Sequence, residues 1–355
     1  MVNFLTKGSK VLTQRGYINI EDVCAKDLLL THNGNYQNII NSVRKLYTGI
    51  IYELHIKHHP LPINCTSDQK FYVRECNDHD NTFSVPILKR IEELSSNDYY
   101  GMIINTNNII PQFHNNVKLD KLKYWFIIGY FLGNGWVKQN RGHSYIRFNI
   151  NNFNEFEIVP KIQAVIPIVS KTKNSKNKMY IVKNDVWGQI FKMFGDETKE
   201  KHIPEWVQSI PNDYIFEFLK GFSKTDNCKT SNCKTDNCKT SNCMVKNESL
   251  EITTISINLA YELQRLYLKL GIMVNINKAF STKQSNRDNS IIVQKEIYII
   301  RVNTSSPLYN GFIENNYAWF APLNITKKEV VDVPIYNFEL QNDNSYIVEN
   351  IVVNS

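Results

Sequence analysis

The sequence has little of what marks a membrane, fibrous or disulfide-stapled protein. Its 355 residues contain no run of about 18 uncharged apolar residues, and the first fifteen residues lack the apolar core of a secretory signal. Glycine and proline are few, at 14 and 11, which excludes collagen-like and low-complexity chains. The composition predicts a folded chain of about two or three domains inside a cell, in the cytoplasm or nucleus, with no membrane contact.

Cysteine is present in an odd number and is unevenly distributed. Four of the seven lie in a five-residue unit repeated four times across residues 224–243, KTDNCKTSNCKTDNCKTSNC. A disulfide framework is therefore not expected, and the repeat lacks the Cys-x-x-Cys pairs of structural zinc sites. Expansion of a short DNA repeat explains the unit better than a metal site does. Because the segment has no apolar residue besides cysteine, we predict a mobile loop.

The positive charge is concentrated in the middle of the chain. Residues 118–290 carry 26 Lys and Arg against 16 Asp and Glu, whereas the remaining residues carry 15 against 18. The 45 Asn, with many Ile, Lys and Tyr, are typical of an AT-rich genome such as that of a virus or protist, but that bias would raise lysine throughout. A basic block within a slightly acidic frame favours an inserted domain whose partner is a polyanion.

Hydrophobic patterning predicts β-structure at both ends of the chain and helices in the middle. Turns are expected at Gly16, Asn33-Gly34, Gly49 and 342–344. The predicted strands are 10–13, 17–20, 27–31, 37–43, 49–56, 61–65, 70–73, 145–150, 179–182 and 250–255, with strand patterning again from residue 333. The predicted helices run from near 118 to 132, from 213 to 222 and from 257 to 270.

Six stretches of the sequence form a recognisable order. GSKVLTQRGYINIEDVCAKDLLLTHNG and LPINCTSDQKFYV come first, and IYNFELQNDNSYIVENIVVNS comes last. Between them lie IIGYFLGNG at 127–135, KHIP at 201–204 and FLKGFSKTDN at 218–227. In this order the segments resemble an intein, a self-splicing Hint domain, that carries an inserted LAGLIDADG homing endonuclease. The first two stretches resemble the opening Hint blocks and the last resembles the closing blocks, while IIGYFLGNG and FLKGFSKTDN resemble the two LAGLIDADG motifs and KHIP resembles the block before the second motif.

The resemblance implies a multidomain α+β protein, an all-β, horseshoe-like Hint fold interrupted by a two-repeat αββαββα LAGLIDADG endonuclease domain. The implied limits are 1–115 and 291–355 for the two parts of the Hint domain and 116–290 for the endonuclease-like domain, which contains the repeat at 224–243. The resemblance also implies double-stranded DNA as partner, Mg²⁺ as cofactor, and a monomer with internal pseudo-two-fold symmetry.

The small residues of the two motifs agree with such a domain. Gly129 and Gly133 are four residues apart, as are Gly221 and Thr225, so each helix presents a small-residue face on which two backbones approach closely. An acidic residue at the end of each helix would then meet its partner beside the scissile phosphates. Divalent ions held there activate water and stabilise the leaving oxygen.

The active-site positions depart from the family pattern. The first acidic position is Asn134, whose amide oxygen carries no charge, and the second is Asp226, with Asp236 in the same TDN context. Ion affinity and water activation should therefore fall. Asn134 and Asp226 remain the candidate catalytic and metal residues, and Lys201 matches a family lysine near the active site. Phosphate contacts are predicted from six basic residues: Lys138, Arg141, Arg147, Lys171, Lys173 and Lys178.

The splicing positions depart further. The residue that should attack the preceding carbonyl aligns with Asn3 or Phe4, and neither has a nucleophilic side chain. In the second block the family pattern has Thr followed three residues later by His. Here Thr66 is followed by Gln69, which cannot shuttle a proton near neutral pH, and Asn337 stands where an Asp is expected.

The closing residues admit two alignments. In the alignment without a gap, Asn354 replaces the family His and Ser355 replaces the cyclising Asn. In the other, Asn354 is the cyclising residue, Ser355 is the first downstream residue, and Val353 replaces the His. We therefore predict an intein-derived, LAGLIDADG-like protein that binds duplex DNA, cleaves it weakly or not at all, and no longer splices. A catalytically dead DNA-binding or structural protein, or an intein whose first nucleophile has been replaced, are the alternatives.

Overall fold

The computed structural model describes residues 3–113, 117–173, 177–195, 200–230, 249–284, 292–303 and 311–355. The chain divides into two compact units. The first comprises residues 1–106, 267–278 and 306–355, and the second comprises residues 107–266 and 279–305. The domain limits predicted at residues 115 and 290 stay a prediction. The described residues form a mixed, sheet-rich structure with five α-helices, none of which is long and apolar enough to span a bilayer.

The chain up to Ile103 forms strands and two short 3-10 turns, Ile20–Asp22 and Ile91–Glu93. The strands are β1 (Leu5–Thr6), β2 (Lys10–Thr13), β3 (Gly16–Asn19), β4 (Leu28–Leu30), β5 (Tyr36–Ile56), β6 (Ile63–Cys65), β7 (Lys70–Asn77), β8 (Thr82–Phe83), β9 (Ile87–Arg90) and β10 (Asp98–Ile103). Within β7, buried Phe71 and Val73 alternate with partly exposed Tyr72 and Arg74, the period of a strand with one face on a core.

The middle of the chain alternates helices and strands. Its helices are α1 (Leu122–Asn134), α2 (Glu155–Gln163), α3 (Asp185–Lys192), α4 (Asn212–Ser223) and α5 (Ile257–Lys269), with a 3-10 turn at Glu205–Ser209. Its strands are β11 (Gly135–Asn140), β12 (His143–Asn151), β13 (Ser170–Lys173), β14 (Asn177–Lys183), β15 (Cys228–Thr230), β16 (Ser249–Thr254), β17 (Val274–Gln284) and β18 (Ile292–Asn303). The three predicted helices correspond to α1, α4 and α5. The first begins at Leu122 because Lys118 instead bridges Gln112 in extended conformation.

The remaining strands complete a sheet in the first unit. They are β19 (Gly311–Glu314), β20 (Tyr317–Phe320), β21 (Pro322–Leu340), β22 (Ser345–Val348) and β23 (Ile351–Asn354). The sheet has the order β19-β20-β10-β7-β23-β22-β2-β4-β5-β21-β1-β6, so strands from both ends of the sequence lie side by side. Its core includes Phe71, Tyr100, Phe320, Val348 and Ile351, each with none of its surface exposed.

The turn predicted at Gly49 is wrong. Strand β5 continues through this glycine and pairs along its length with β21. Gly49 has a φ of +153°, and a Cβ there would lie 2.7 Å from Oη of Tyr47, so the glycine makes room for that ring. The irregularity is on the partner strand, where a register shift between Val330 and Val333 forms a bulge and Asp332 adopts a φ of 53°.

In the second unit, the described strands form two separate four-stranded antiparallel sheets. Their orders are β11-β12-β14-β13 and β15-β16-β18-β17. Each sheet begins directly after one of the two motif helices, since β11 follows α1 and β15 follows α4. This arrangement places the ends of α1 and α4 next to the first strand of each sheet.

Candidate functional site

Helices α1 and α4 meet backbone to backbone at two glycines. A Cβ built on Gly129 would overlap the carbonyl oxygen of Phe218 and lie 2.8 Å from its carbonyl carbon. A Cβ on Gly221 would overlap the carbonyl oxygen of Phe126 and lie 2.7 Å from its carbonyl carbon. The contact is reciprocal, and no side chain larger than hydrogen fits at either glycine without moving a helix.

One turn further along, Gly133 faces Thr225. A Cβ on Gly133 would lie 2.6 Å from both Cβ and Cγ2 of Thr225. Thr225 is buried, and its hydroxyl donates to the carbonyl oxygen of Phe222 at 2.7 Å. The structure thus places the two small-residue faces against each other, as their spacing predicted.

Asn134 and Asp226 come into contact where the helices end. Asn134 is the buried last residue of α1, and Asp226 is exposed three residues beyond α4. The backbone N–H of Asp226 donates to Oδ1 of Asn134 at 3.5 Å. Nδ2 of Asn134 donates to the carbonyl oxygen of Asn149 at 3.2 Å, and Nδ2 of Asn151 donates to Oδ1 of Asp226 at 3.3 Å. The two positions therefore share one polar network with strand β12.

This network contains one carboxylate. Among the described residues, no three His, Cys, Asp or Glu side chains are arranged to hold a metal ion. Asp226 offers the charged ligand, while Oδ1 of Asn134 is neutral and already accepts a hydrogen bond. Mg²⁺ is commonly held by one or two carboxylates together with water and substrate phosphates. These donors therefore fit a divalent ion only if phosphate oxygens and water complete its coordination.

Lys201 lies beside the first motif. Its Nζ donates to the carbonyl oxygen of Gly135 at 2.8 Å and lies 4.2 Å from the ring centroid of Phe131. Only 7% of the residue is exposed. Because Gly135 directly follows Asn134, the amine is held next to the polar network at the end of α1.

The loop predicted for residues 224–243 is wrong for residues 228–230, which form strand β15, where Cys228 pairs with Ile252. Residues 224–227 form a turn between α4 and this strand. Burial raises the pKa of the Cys228 thiol to about 12, so this sulfur is not a thiolate ligand near neutral pH. The prediction failed because Cys228 packs as an apolar side chain in the sheet. Cys233, Cys238, Cys243 and Asp236 lie outside the described residues.

The first sheet of the second unit has one open face, and the strand register shows which side chains it carries. Strands β11 to β14 contain six Lys and Arg and no Asp or Glu. Cross-strand pairing places Trp136 beside Arg147, and Lys138 beside Tyr145, which in turn pairs with Lys183. All five side chains are partly or fully exposed. Basic and aromatic groups thus share this surface, which we call the open face.

Arg147 has a donor with no acceptor. Its Nε is buried and makes no hydrogen bond within the part of the chain that the structure describes. This Nε donor is therefore open to an acceptor that the described residues do not supply, such as a water molecule. A phosphate oxygen or the edge of a base could also act as its acceptor.

The other predicted basic residues are placed differently. Lys171 and Lys178 lie on the opposite face of the sheet, and both pair with Glu155 of α2, which Tyr180 also contacts. Lys171, with Lys178 and Tyr180, lowers the pKa of the Glu155 carboxyl to about 2. Arg141 is exposed in the β11–β12 turn, and the side chain of Lys173 is outside the described residues. Of the six, only Lys138 and Arg147 lie on the open face among the side chains that the structure describes.

Sequence reasoning missed Trp136, Tyr145, Lys183 and Asn151. The first three occupy the same face as Arg147, and Asn151 follows on that face two residues after Asn149. The alternation in GWVKQN and HSYIRFNIN was a usable signal, because every second residue of a strand points to one face.

In the first unit, six of the seven predicted splicing positions converge. The backbone N–H of Phe4 donates to Oγ1 of Thr66 at 3.3 Å. Nδ2 of Asn3 donates to the carbonyl oxygen of Ser355 at 3.3 Å, and Nε2 of Gln69 donates to that of Asn354 at 2.9 Å. These contacts join residues from both ends of the described chain.

The seventh position, Asn337, makes a different contact, and one oxygen of the converging residues has no partner among the described residues. Asn337 lies on β21 and accepts from the hydroxyl of Tyr346 at 3.5 Å. Oε1 of Gln69 is buried without a hydrogen-bond partner among the described residues. A buried amide therefore orients the Asn354 carbonyl through its nitrogen while its oxygen is unsatisfied.

Comparison with known sequences gives one distant relative and no family. No protein-family model matches the chain. An uncharacterised protein of Methanocaldococcus jannaschii, MJ1054, is 22% identical over 231 residues, which is 62% of this chain. The chain spans only 23% of the length of that relative.

The solved structures most similar to the chain include LAGLIDADG homing endonucleases at low TM-scores. I-DmoI in complex with DNA and Ca is 12% identical over 52% of this chain and 83% of its own, with a TM-score of 0.34. I-WcaI bound to its DNA recognition sequence is 17% identical over 52% and 76%, with a TM-score of 0.31. I-GzeII in complex with its DNA target is 12% identical over 50% and 77%, with a TM-score of 0.29.

Proposed function

We propose that the second unit is a LAGLIDADG-type DNA-binding domain whose capacity for double-strand cleavage is weakened or lost. The observation that carries the proposal is the backbone contact between α1 and α4, which brings Asn134 and Asp226 together. Each contact position in the first motif has a counterpart in the second at the same separation in sequence: 126 and 218, 129 and 221, 133 and 225, 134 and 226. That regularity supports a monomer in which two related halves meet across an internal pseudo-two-fold axis.

The open face supplies the DNA contacts in this proposal. Lys138 and Lys183 would neutralise phosphates, which gives affinity without sequence information. The guanidinium of Arg147, whose Nε lacks an acceptor among the described residues, would reach a phosphate or a base edge. Trp136 and Tyr145 add apolar surface between these cations. The absence of carboxylates from strands β11 to β14 leaves no fixed negative charge on them to repel a polyanion.

The site at the helix ends accounts for the loss of cleavage. A divalent ion held by Asp226 and phosphate oxygens would activate water and stabilise the leaving oxygen. Asp226 supplies one negative charge, while Asn134 orients the Asp226 backbone through its Oδ1 and supplies none. The buried amine of Lys201 lies at the same helix end, where it donates to the carbonyl oxygen of Gly135. Because the site offers one carboxylate for the cleavage of two DNA strands, we expect the protein to bind DNA rather than cut both strands.

Binding is tested with Arg147→Ala on a pool of duplex DNA. We expect the wild-type protein to bind with a steep inverse salt dependence, and the variant to bind about tenfold more weakly, because one desolvated charge contact is lost. The readout is the dissociation constant by fluorescence anisotropy between roughly 50 and 200 mM salt. Lys171→Ala is the matched control, since it removes the same charge from the opposite face of the same sheet. Equal losses for both variants, or salt-independent binding, would argue against the open face.

We propose further that the first unit is a Hint-derived domain that no longer splices. The convergence of Asn3, Phe4, Thr66, Gln69 and the Asn354–Ser355 segment supports this, because splicing needs both junctions at one site. Neither Asn3 nor Phe4 provides a thiol or a hydroxyl at the first junction, so the acyl shift lacks its nucleophile. None of the converging residues provides an imidazole, so the proton shuttle is lacking as well.

The test is a fusion with unrelated flanking segments at both ends, analysed by intact mass. We expect the natural sequence to stay as unprocessed precursor, and Asn3→Cys combined with Gln69→His to give cleavage or ligation at the first junction above background. Ligated flanks from the natural sequence would overturn the loss of splicing. If the double variant folds but its precursor stays intact, the proposal of a Hint-derived domain loses its support.

A further inference from the structure

The segment that carries Lys201 is fixed by buried polar contacts from α5. Oε2 of Glu262 accepts from the backbone N–H of Ile203 at 2.6 Å. Nε2 of Gln208 donates to the carbonyl oxygen of Glu262 at 3.1 Å. The segment that leads from α3 to α4 is therefore tied to one turn of α5 at two points by the same residue.

A buried ion pair adds a third point between them. Nη1 and Nη2 of Arg265 lie 2.6 and 2.7 Å from the two carboxylate oxygens of Glu205, and the Arg265 side chain is 4% exposed. A bidentate pair of this kind fixes both distance and orientation. Glu262 and Arg265 are three residues apart on α5, so one face of the helix holds the whole segment.

Burial of the Glu262 carboxyl costs free energy, because the group loses its hydration. Glu262 is only 1% exposed, and burial, with the charge of Glu205, raises the pKa of its carboxyl to about 8 against the opposing effects of Ile203 N–H and Arg265. An apolar side chain would avoid the desolvation cost of the acid but would leave the Ile203 N–H without an acceptor.

The geometry points to a role for this contact beyond packing. We propose that Glu262 is a positioning residue for Lys201, whose amine it holds at the end of α1 by fixing the backbone two residues away. Lys201 has a long, flexible side chain, and its Nζ reaches the Gly135 carbonyl at 2.8 Å only while residues 201–203 keep their path. The importance of Lys201 for cleavage rests on the proposed function; its placement by Glu262 does not.

Amine labelling measures the placement directly. The protein is treated briefly with a water-soluble amine-reactive ester, and modification of Lys201 and Lys224 is followed by peptide mass. Lys224, paired with Glu157 at 3.2 Å in the same unit, reports general loosening. We expect Glu262→Gln, which keeps length and an acceptor oxygen, to protect Lys201 as the wild type does. In Glu262→Asp, shorter by one methylene, we expect Lys201 to react at least fivefold faster with Lys224 unchanged.

Two outcomes overturn the proposal: Lys201 as protected in Glu262→Asp as in the wild type, or Lys201 and Lys224 exposed together. Glu262→Met gives a second reading, because it keeps the length but has no strong acceptor, and it should behave like the Asp variant. If the Met variant does not fold, the comparison of Gln with Asp decides alone.

The rate of DNA cleavage tests whether the placement of Lys201 matters for function. In an Asn134→Asp background that cuts DNA, adding Glu262→Gln should preserve the rate, and adding Glu262→Asp should lower kcat at least tenfold at unchanged DNA affinity. Unchanged kcat in both would overturn the functional importance of the positioning. If Asn134→Asp binds DNA without cutting it, the result favours a protein that only binds DNA, and the labelling result still decides whether Glu262 positions Lys201.

Discussion

Gly129→Ala and Gly221→Ala are each expected to destabilise the second unit by about 3 kcal/mol or more, at the upper end of overpacking effects. Each added methyl group would overlap a backbone carbonyl of the facing helix, and a carbonyl cannot move to another rotamer as a side chain can. The measurement is denaturant unfolding followed by tryptophan fluorescence. Four of the five tryptophans, at positions 125, 136, 187 and 206, belong to the second unit, so the signal reports mainly on it.

Position 133 provides the matched control for this prediction. Gly133→Ala should also destabilise, because its Cβ would lie 2.6 Å from Cβ of Thr225. Here the obstacle is a side chain, so Thr225→Gly in the same protein should restore much of the loss. Glycine substitutions at Phe126 or Phe218 could not rescue Gly221→Ala or Gly129→Ala, since the clashing atoms are backbone. Wild-type stability of Gly129→Ala would show that the helices are not in close contact in solution.

Asn134→Asp is expected to raise divalent-ion-dependent cleavage of a bound duplex by about 100-fold or more, the scale at which a group acting on transition-state charge contributes. The substitution adds a second carboxylate next to Asp226. It also places a carboxylate oxygen against the Asn149 carbonyl, which now accepts from Nδ2 of Asn134 at 3.2 Å. The variant should therefore be less stable than the wild type without metal and regain stability when Mg²⁺ or Mn²⁺ is added.

The measurements are the melting temperature with and without ion, and cleavage of a selected duplex target followed on gels. Asn140→Asp is the control, because it adds the same charge six residues further along the chain, at the exposed end of β11. A similar ion effect in both variants would mean that general charge, and not the helix-end position, is responsible. Intact DNA binding by Asn134→Asp without any cleavage would favour a protein that only binds DNA.

The helix pair could be predicted because its determinants are local. The apolar run of α1 and the spacing of Gly129, Gly133, Gly221 and Thr225 are visible in sequence, and small residues four apart in a helix share a face. The meeting of positions 134 and 226 followed from that contact. The start of α1 was misjudged by four residues, since the isolated bridge of Lys118 to Gln112 has no signature in the local pattern.

The failed predictions concern residues whose surroundings come from distant strands. Gly49 carries a turn signal, yet pairing with β21 keeps β5 continuous. Cys228 belongs to a polar repeat, yet pairing with β16 places it in a sheet, where it is half-buried. A local propensity of a few tenths of a kcal/mol to about 1 kcal/mol is easily overridden by a ladder of backbone hydrogen bonds. Glu262 and Ile203, 59 positions apart, had no sequence signal that linked them.

The sequence by itself determined which segments are helices at the two motifs and where positive charge accumulates. It also determined which chemical groups are missing from the predicted splicing and metal positions. These features depend on residue type and short-range spacing. Only the tertiary structure decided which basic residues share a face with Arg147 and which are neutralised by Glu155, how Glu262 reaches the backbone beside Lys201, and that Asn3 meets Ser355. Strand register and helix packing set these relations, and both depend on contacts between residues far apart in the chain.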